Sequence, residues 1–272
     1  MKVTKLTSKG SGRVNEDCLF IKDNLFGVFD GLTSLNKYTD IKGNSGGQIA
    51  SQLIKKIFEE KYSQDFLWIL HKARIELNRE MIKRKFDLSQ KVNRLSTTIA
   101  VVRLISKHIE FVQVGDSPIV LINKDKSFRV IMSSKNTDKK SLILWKRLSI
   151  KETINWSENK EIMDQLIKVR QMANVTYGTF NGEVGVFNFI LNGKISINNI
   201  TDILLFTDGL FWPVENPSKE ENIDDLVNLY LNFGLKKLKE KVRQQEADDP
   251  LCKRYPRFKK HDDIAAISIK IS

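Results

Sequence analysis

A short apolar run ends in an acidic turn at Leu25-Phe26-Gly27-Val28-Phe29-Asp30-Gly31, and this stretch gives the clearest indication of the fold. A similar apolar segment, residues 18–21, comes just before it. Between the two, Lys22-Asp23-Asn24 is typical of a hairpin turn. We therefore predict a β-hairpin here, with Asp30 at the end of its second strand.

The rest of the chain repeats this mixture of strands and helices. Apolar residues recurring every three or four positions predict helices over 46–62, 65–83, 158–173 and 223–245. Further strands are predicted over 98–104, 109–114, 118–122, 128–132, 184–190, 203–206 and 264–271. The run 203–206 is continuously apolar and suits burial on both faces, whereas 133–157 has no clean period and indicates a loop-rich insertion. Because the strands come in hairpin-like groups with helices between them, we predict an α+β fold with mainly antiparallel sheet.

Length and composition limit the classes of protein to which the chain can belong. The chain has 272 residues, with no repeat, low-complexity tract or linker, so we expect a single domain over 1–272. No apolar run approaches the ~20 residues needed to span a bilayer, and no secretion signal follows Met1. We therefore expect a cytoplasmic monomer without a membrane partner. Cys18 and Cys252 form no CxxC unit, which favours free thiols.

The charge of the chain raises the question of an anionic partner. Lys and Arg number 45 against 33 Asp and Glu, a net charge of +12, with Lys greatly outnumbering Arg. The sequence shows no known RNA- or DNA-binding module, so we expect no nucleic-acid partner. A basic run over 253–260 is either a solvated surface or a docking site for an acidic substrate.

Five aspartates share one sequence context: each stands at a strand edge or beside a tight turn. They are Asp17, Asp30, Asp116, Asp208 and Asp262. A single Asp-Gly after a strand is usually only a turn. Five such carboxylates would repel one another if the strand ends converged, unless a cation lay between them. Since oxygen ligands without His or Cys favour Mg²⁺ or Mn²⁺, the pattern predicts an acidic divalent-metal site. Gly31 would allow the backbone after Asp30 to approach a metal closely.

The motifs that contain these residues resemble, in order, those of the metal-dependent Ser/Thr protein phosphatases of the PP2C type (PPM family), here as a divergent, bacterial-like member. The matching segments are Arg13-Val14-Asn15-Glu16-Asp17, Val28-Phe29-Asp30-Gly31, Ser96-Thr97-Thr98, Val114-Gly115-Asp116-Ser117, Phe206-Thr207-Asp208-Gly209-Leu210 and Asp262-Asp263. The resemblance implies a four-layer α-β-β-α sandwich of two mainly antiparallel sheets flanked by helices. It also implies that the insertion at about 133–173 forms a flap beside the substrate site.

The resemblance also implies roles for individual residues. Asp30 would bridge two Mg²⁺ or Mn²⁺ ions, with Asp17, Asp208, Asp262 and the Gly31 carbonyl as further ligands and Asp116 at a weaker third ion. Glu16 would bind an ion directly or support a ligand, and Asp263 would support Asp262. Arg13 would hold the substrate phosphate. The implied activity is hydrolysis of phosphoserine and phosphothreonine in a phosphorylated protein substrate, through a metal-activated water.

The sequence departs from the family pattern in several places. Arg13 stands four residues before Asp17, which is closer than in well-known members, and Leu32-Thr33-Ser34-Leu35 replaces the usual stretch after Asp-Gly. His261 is either an acid for the reaction or a structural neighbour, and Trp212 stands where some members have another acid. Residues 33–45 suggest a lid or an altered rim. Two alternatives therefore stay open: a pseudophosphatase that acts as a docking module, and a basic nucleic-acid-binding protein.

Overall fold

The computed structural model describes residues 1–135, 137–150, 153–218 and 223–271. The strands are β1 (Lys2–Ser8), β2 (Cys18–Lys22), β3 (Leu25–Phe29), β4 (Ile99–Ile105), β5 (His108–Val114), β6 (Ile119–Asn123), β7 (Phe128–Ile131), β8 (Leu191–Ser196), β9 (Ile200–Phe206) and β10 (Ile264–Lys270). The helices are α1 (Gly46–Glu60), α2 (Phe66–Lys83), α3 (Lys139–Ser149), α4 (Lys160–Gln171) and α5 (Ile223–Ala247).

The strands form two five-stranded antiparallel sheets. One has the order β1-β10-β9-β6-β7 and the other the order β2-β3-β4-β5-β8. Helices α1 and α2 pack on the second sheet, and α5 packs on the first. The four layers and the α+β class confirm the fold expected from the sequence.

Alternation along the central strands fills the three interfaces between layers. In β3, Phe26 and Val28 belong to the core between the sheets, whereas Leu25 and Phe29 belong to the core under α1 and α2. Successive side chains of a strand point to opposite faces, so one apolar run supplies two cores. The run 203–206 does the same between the other sheet and α5, and its predicted burial on both faces is confirmed.

The sequence indicated two of the four edge strands, β2 and β7, but not β1 or β8. No side chain of β1 or β8 is buried, so neither strand carries a clear apolar signal. The strand predicted over 184–190 is wrong: Val184–Phe189 forms a short 3-10 helix, and the strand that pairs with β5 begins at Leu191. Val186 is buried there, but Val184 is 68% exposed, so the apolar run does not follow a strand's alternation.

The insertion is more regular than its sequence suggested. Helix α3 lies within the stretch predicted to be loop-rich, and that prediction is wrong at this point. Its buried Trp145 joins a small separate core with Ile162 and Leu166 of α4 and Cys252. Residues 136, 151 and 152 of the insertion lie outside the described residues. The prediction of one domain over 1–272 with a flap at 133–173 stays a prediction.

Two further features concern the helices. Gly234 interrupts α5 with a φ of 76°, in the left-handed region where glycine is favoured, so the predicted helical region is two helices joined at a kink. Among the described residues, no helix combines the length and apolar character that a membrane crossing requires.

The core between the sheets should dominate the stability of the fold. Replacing Phe26, which is 1% exposed, by Ala should lower the free energy of unfolding by about 3–5 kcal/mol, because it leaves a cavity between two well-packed sheets. Phe233→Ala is the matched control: Phe233 is 54% exposed, and its loss should cost about 1 kcal/mol or less. Urea unfolding measures the free energy of unfolding of both variants. Equal decreases in the two variants would contradict this account of the core.

Candidate metal centre

The five aspartates flank strand ends at the same end of the two sheets. In an antiparallel pair, the start of one strand lies beside the end of its neighbour. Cys18 at the start of β2 therefore pairs with Phe29 at the end of β3, and Ala266 near the start of β10 pairs with Phe206 at the end of β9. The acids next to these ends, and the one that follows β5, are Asp17, Asp30, Asp116, Asp208 and Asp262.

Two glycines allow the acidic turns to approach other backbone segments closely. A Cβ at Gly31 would overlap the carbonyl group of Gly47 at the start of α1, and a Cβ at Gly209 would overlap the carbonyl oxygen of Asp263. Glycine is therefore required after both Asp30 and Asp208 by crowding of the main chain itself.

Hydroxyl side chains fix the backbone of Asp30. Its N–H donates to Thr98 Oγ1 (3.2 Å), and its carbonyl oxygen accepts from Thr97 Oγ1 (2.7 Å) and from the Thr98 N–H (2.9 Å). Thr98 Oγ1 lies 2.5 Å from Ser117 Oγ, next to Asp116. Thr98 thus links the turn at Asp30 to the turn at Asp116.

A cavity at this end of the sandwich has four of the predicted acids in its wall. They are Asp30, Asp116, Asp208 and Asp262, and Gly31 also lines it. The predicted Asp17 is buried and does not line the cavity, but it interacts electrostatically with Asp208 and Asp262. A further acid, Asp138, lines the same cavity from just before α3. The sequence did not indicate Asp138, because no strand precedes it in the insertion.

Burial and mutual repulsion make these carboxyl groups hard to ionise. Burial is the largest cause that raises the pKa of Asp17, Asp30 and Asp208 well above the ordinary range, and the neighbouring carboxylates raise it further. Asp116 is shifted in the same direction, also mainly by burial. Burial raises the pKa of Asp138 to about 6, although Arg170 acts in the opposite direction. A nearby cation would remove the repulsion that these shifts record.

The environment of the Asp17 Oδ2 atom shows whether the acidic residues fit a metal ion. Asp17 is 6% exposed, and its Oδ2 is buried without any hydrogen-bond partner. A partnerless carboxylate oxygen beside other buried carboxylates is costly unless a cation balances it. As they stand, no three His, Cys, Asp or Glu side chains in the described part of the chain form a group that could hold an ion. The donor chemistry, which is carboxylate oxygen alone, nevertheless fits Mg²⁺ or Mn²⁺.

Glu16 and Asp263 have both of their carboxylate oxygens engaged in the protein. Asp263 accepts from the N–H groups of Gly10 (2.7 Å) and Glu16 (2.8 Å), which holds the N-terminal loop against the start of β10. Glu16 accepts from Ser45 Oγ (2.6 Å) and from the hydroxyl of Thr33. This geometry supports a role behind the metal ligands for both residues.

Two cations accompany the acids, and the sequence singled out neither. Lys259 Nζ lies 2.7 Å from Asp262 Oδ1 and 3.8 Å from Glu16 Oε2. Arg170 of α4 lines the cavity and lies near enough to Asp116 and Asp138 to stabilise their charged forms. Lys259 was visible only as one member of a basic run, and Arg170 only as a residue of a predicted helix.

Arg13 lies outside the acidic cavity and lines a neighbouring groove, where its guanidinium group approaches Gly43. Its role with the substrate phosphate stays a prediction. His261 is outside the cavity as well, and its Nδ1 lies 2.8 Å from Glu246 Oε2. Trp212 lines a second cavity that Asp208 also borders.

Most of the basic run over 253–260 is tied into the structure. Arg257 pairs with Asp249 (3.0 Å), and Arg254 pairs with Glu215 (2.7 Å). Lys259 belongs to the acidic cluster, as described above, whereas Lys260 is exposed and lines the neighbouring groove.

Neither cysteine is placed to act as a nucleophile. Both are free and buried, and neither lines the acidic cavity. Burial raises the pKa of the Cys18 thiol to about 12, so its thiolate form is disfavoured at neutral pH.

Comparison with solved structures shows the same fold in bacterial phosphatases. A bacterial serine phosphatase matches with 16% identity and a TM-score of 0.61, covering 100% of this chain and 98% of its own. Stp1 from Staphylococcus aureus, a serine/threonine phosphatase, matches with 15% identity and a TM-score of 0.59 over 100% and 95% of the two chains. The catalytic domain of the serine/threonine phosphatase PstP, solved with two manganese ions, matches with 15% identity and a TM-score of 0.57 over 98% and 96%.

The comparison of sequences assigns the family. No curated protein matches the chain. The family model of protein phosphatase 2C matches residues 9–245, which is most of the chain and includes four of the five acidic turns. The chain therefore belongs to the protein phosphatase 2C family of Ser/Thr phosphatases.

Proposed function

We propose that this protein hydrolyses phosphoserine and phosphothreonine in phosphorylated proteins at a centre of two Mg²⁺ or Mn²⁺ ions. The observation that carries the proposal is the buried, partnerless Asp17 Oδ2 within a cluster of carboxyl groups whose pKa values are raised. The two manganese ions in PstP, which has the same fold, support it.

The ligands would come from the acidic turns. Asp30 is the central one, since its carboxyl group interacts with those of Asp17, Asp116, Asp208 and Asp262. In this proposal Asp17, Asp30, Asp208, Asp262 and the Gly31 carbonyl hold the pair of ions, and Asp116 holds a weaker third. Bound divalent ions supply a water that ionises near neutral pH.

Other side chains of the cavity would position the phosphate and handle the proton. Arg170 can offer a fork of N–H donors to phosphoryl oxygens. Lys259 offsets the charge of Asp262. Asp138, with a pKa raised to about 6, can keep a proton on its carboxyl group and donate it to the leaving serine or threonine oxygen.

Removing a central carboxylate should abolish turnover. Asp30→Asn and Asp208→Asn should each lower kcat about 10³-fold on p-nitrophenyl phosphate or a phosphothreonine peptide with Mn²⁺, because a principal charge at the reaction centre is lost. Asp125→Asn is the matched control, since Asp125 is exposed in the turn between β6 and β7. EDTA should abolish the activity of the unmodified protein.

Three other outcomes would contradict the ligand assignment or the proposed function. Near-normal turnover of either central variant would show that the ligand assignment is wrong. A folded protein without any metal-dependent turnover would favour the pseudophosphatase alternative. Tight, salt-sensitive binding of an oligonucleotide would favour the nucleic-acid alternative.

The raised pKa values also predict how stability depends on pH. A group whose pKa is raised in the folded state favours folding while it is protonated, and this contribution disappears as the pH rises through the folded-state pKa. Asp138 changes near pH 6, and Asp17, Asp30 and Asp208 are raised as well. The melting temperature of the metal-free protein should therefore fall by several degrees between pH 5 and pH 8.

Two comparisons check the cause of this fall. Asp138→Asn should make the fall in melting temperature smaller, because Asn is neutral at every pH. Excess Mn²⁺ should also counteract the fall, because an ion that binds only the folded protein stabilises it. A melting temperature that stays level or rises over this range in the metal-free protein would contradict the assigned shifts. Calorimetry or thermal circular dichroism provides the measurement.

A further inference from the structure

A groove runs beside the acidic cavity, and the sequence did not indicate it. It is called the basic groove here. Its walls come from four segments distant in the chain: residues 11–16, 33–45, 154–156 and 258–260. Thr33, Trp156, Phe258 and Lys259 line both the groove and the cavity. A chain with its phosphorylated residue in the cavity could therefore continue directly into the groove.

The basic groove contains several cations without a salt-bridge partner in the part of the chain that the structure describes. Arg13, Lys37 and Lys260 line it, and none of the three has an acidic partner among the described residues. Glu16 is the acid in the wall, and its oxygens are engaged by Ser45 and Thr33. By contrast, Lys259 at the boundary is already paired with Asp262. The groove thus presents cations whose charge the protein itself does not neutralise.

The loop that carries Lys37 is held rigidly. Asp40 accepts from the N–H groups of Lys42 and Asn44 (both 2.9 Å) and pairs with Arg84 Nη1 (3.1 Å) at the end of α2. The ring of Tyr38 packs edge-on against Phe86, with ring centres 4.7 Å apart. Because these contacts already order the backbone of the loop, binding at Lys37 would cost little backbone conformational entropy.

The segment that carries Lys260 is anchored as well. The carbonyl oxygen of Lys260 accepts from Arg257 Nε (3.0 Å), and Arg257 is itself bound to Asp249 (3.0 Å). The side chain of Lys260 is exposed and projects from this fixed backbone. The two lysines therefore stand on separate, independently braced segments of the same groove.

We propose that the basic groove binds anionic side chains that flank the phosphorylated residue of the protein substrate, and so gives the enzyme a preference for acidic sites. The proposal rests on the proposed function, since the phosphorylated residue must occupy the acidic cavity. The anions could be carboxylates or a second phosphate, because both pair with lysine. An extended peptide is the proposed occupant, because the groove shares Thr33, Trp156, Phe258 and Lys259 with the cavity that would hold the phosphorylated side chain.

Peptide kinetics test the proposal. Three phosphothreonine peptides are compared: one flanked by Glu, one flanked by Gln and one flanked by a second phosphoserine. The unmodified protein should have a higher kcat/KM on an anionic peptide than on the Gln peptide, and the difference should shrink as salt is raised. If the Glu peptide is preferred, the groove binds carboxylates; if the doubly phosphorylated peptide is preferred, it binds a second phosphate.

Substitution of the groove lysines tests whether the preference for anionic peptides arises in the basic groove. The double change Lys37→Ala with Lys260→Ala should lower kcat/KM on the preferred peptide about tenfold, which corresponds to about 1.4 kcal/mol, and leave p-nitrophenyl phosphate hydrolysis unchanged. Lys107→Ala is the matched control, because Lys107 is exposed in the turn between β4 and β5, at the opposite end of β5 from Asp116. Arg13 is left intact, since its predicted partner is the reacting phosphate.

Two results would overturn the proposal: no preference for either anionic peptide in the unmodified protein, or a preference that the double variant retains. Competition by an oligonucleotide that displaces the acidic peptides and depends on the two lysines would also overturn it. Failure of the proposed function is separate, since it appears as absent p-nitrophenyl phosphate hydrolysis. In that case fluorescence anisotropy of labelled peptides still measures whether the groove prefers acidic ones.

Discussion

Repulsion among buried carboxylates at one end of the sandwich is the constraint on which the rest of the site depends. The fold brings Asp17, Asp30, Asp208 and Asp262 together, and burial raises the pKa of the first three well above the ordinary range. The Asp262 carboxylate is instead partly exposed and is paired with Lys259. Hydrophobic packing in three separate interfaces supplies the stability that keeps the four aspartates together. This cluster of carboxyl groups is the basis of the proposed metal centre.

The backbone around the cluster is fixed by contacts that do not use the ligands' own oxygens. Thr97 and Thr98 hold the main chain of Asp30, and Asp263 ties the N-terminal loop to the start of β10. Glu16 is engaged by hydroxyl groups in the same way. These contacts order the backbone around the proposed ligands. Asp116 Oδ2 and Asp262 Oδ1 are engaged by Thr137 and Lys259, whereas Asp17 Oδ2 has no partner.

Two regions of opposite charge lie side by side at this end of the protein. The cavity collects carboxylates, while the basic groove collects unpaired cations, and Lys259 stands at their boundary in contact with Asp262. A phosphoprotein carries a dianionic phosphate that needs metal ions, and flanking side chains that can be read by charge. In the functions proposed above, the reaction takes place in the cavity and the basic groove contributes to the choice of substrate.

The sequence by itself determined eight of the ten described strands, four of the five described α-helices and the acidic turns. These depend on local patterns, namely apolar runs, helical periodicity and Asp at a strand edge. Only the tertiary structure decided the edge strands β1 and β8, helix α3, and the places of Asp138, Arg170, Lys259 and Arg13. An edge strand is defined by its hydrogen-bonded neighbour, and a side chain lines a cavity only because distant segments enclose it. Neither property leaves a periodic trace in the residues nearby, whereas burial on a strand or helix face does.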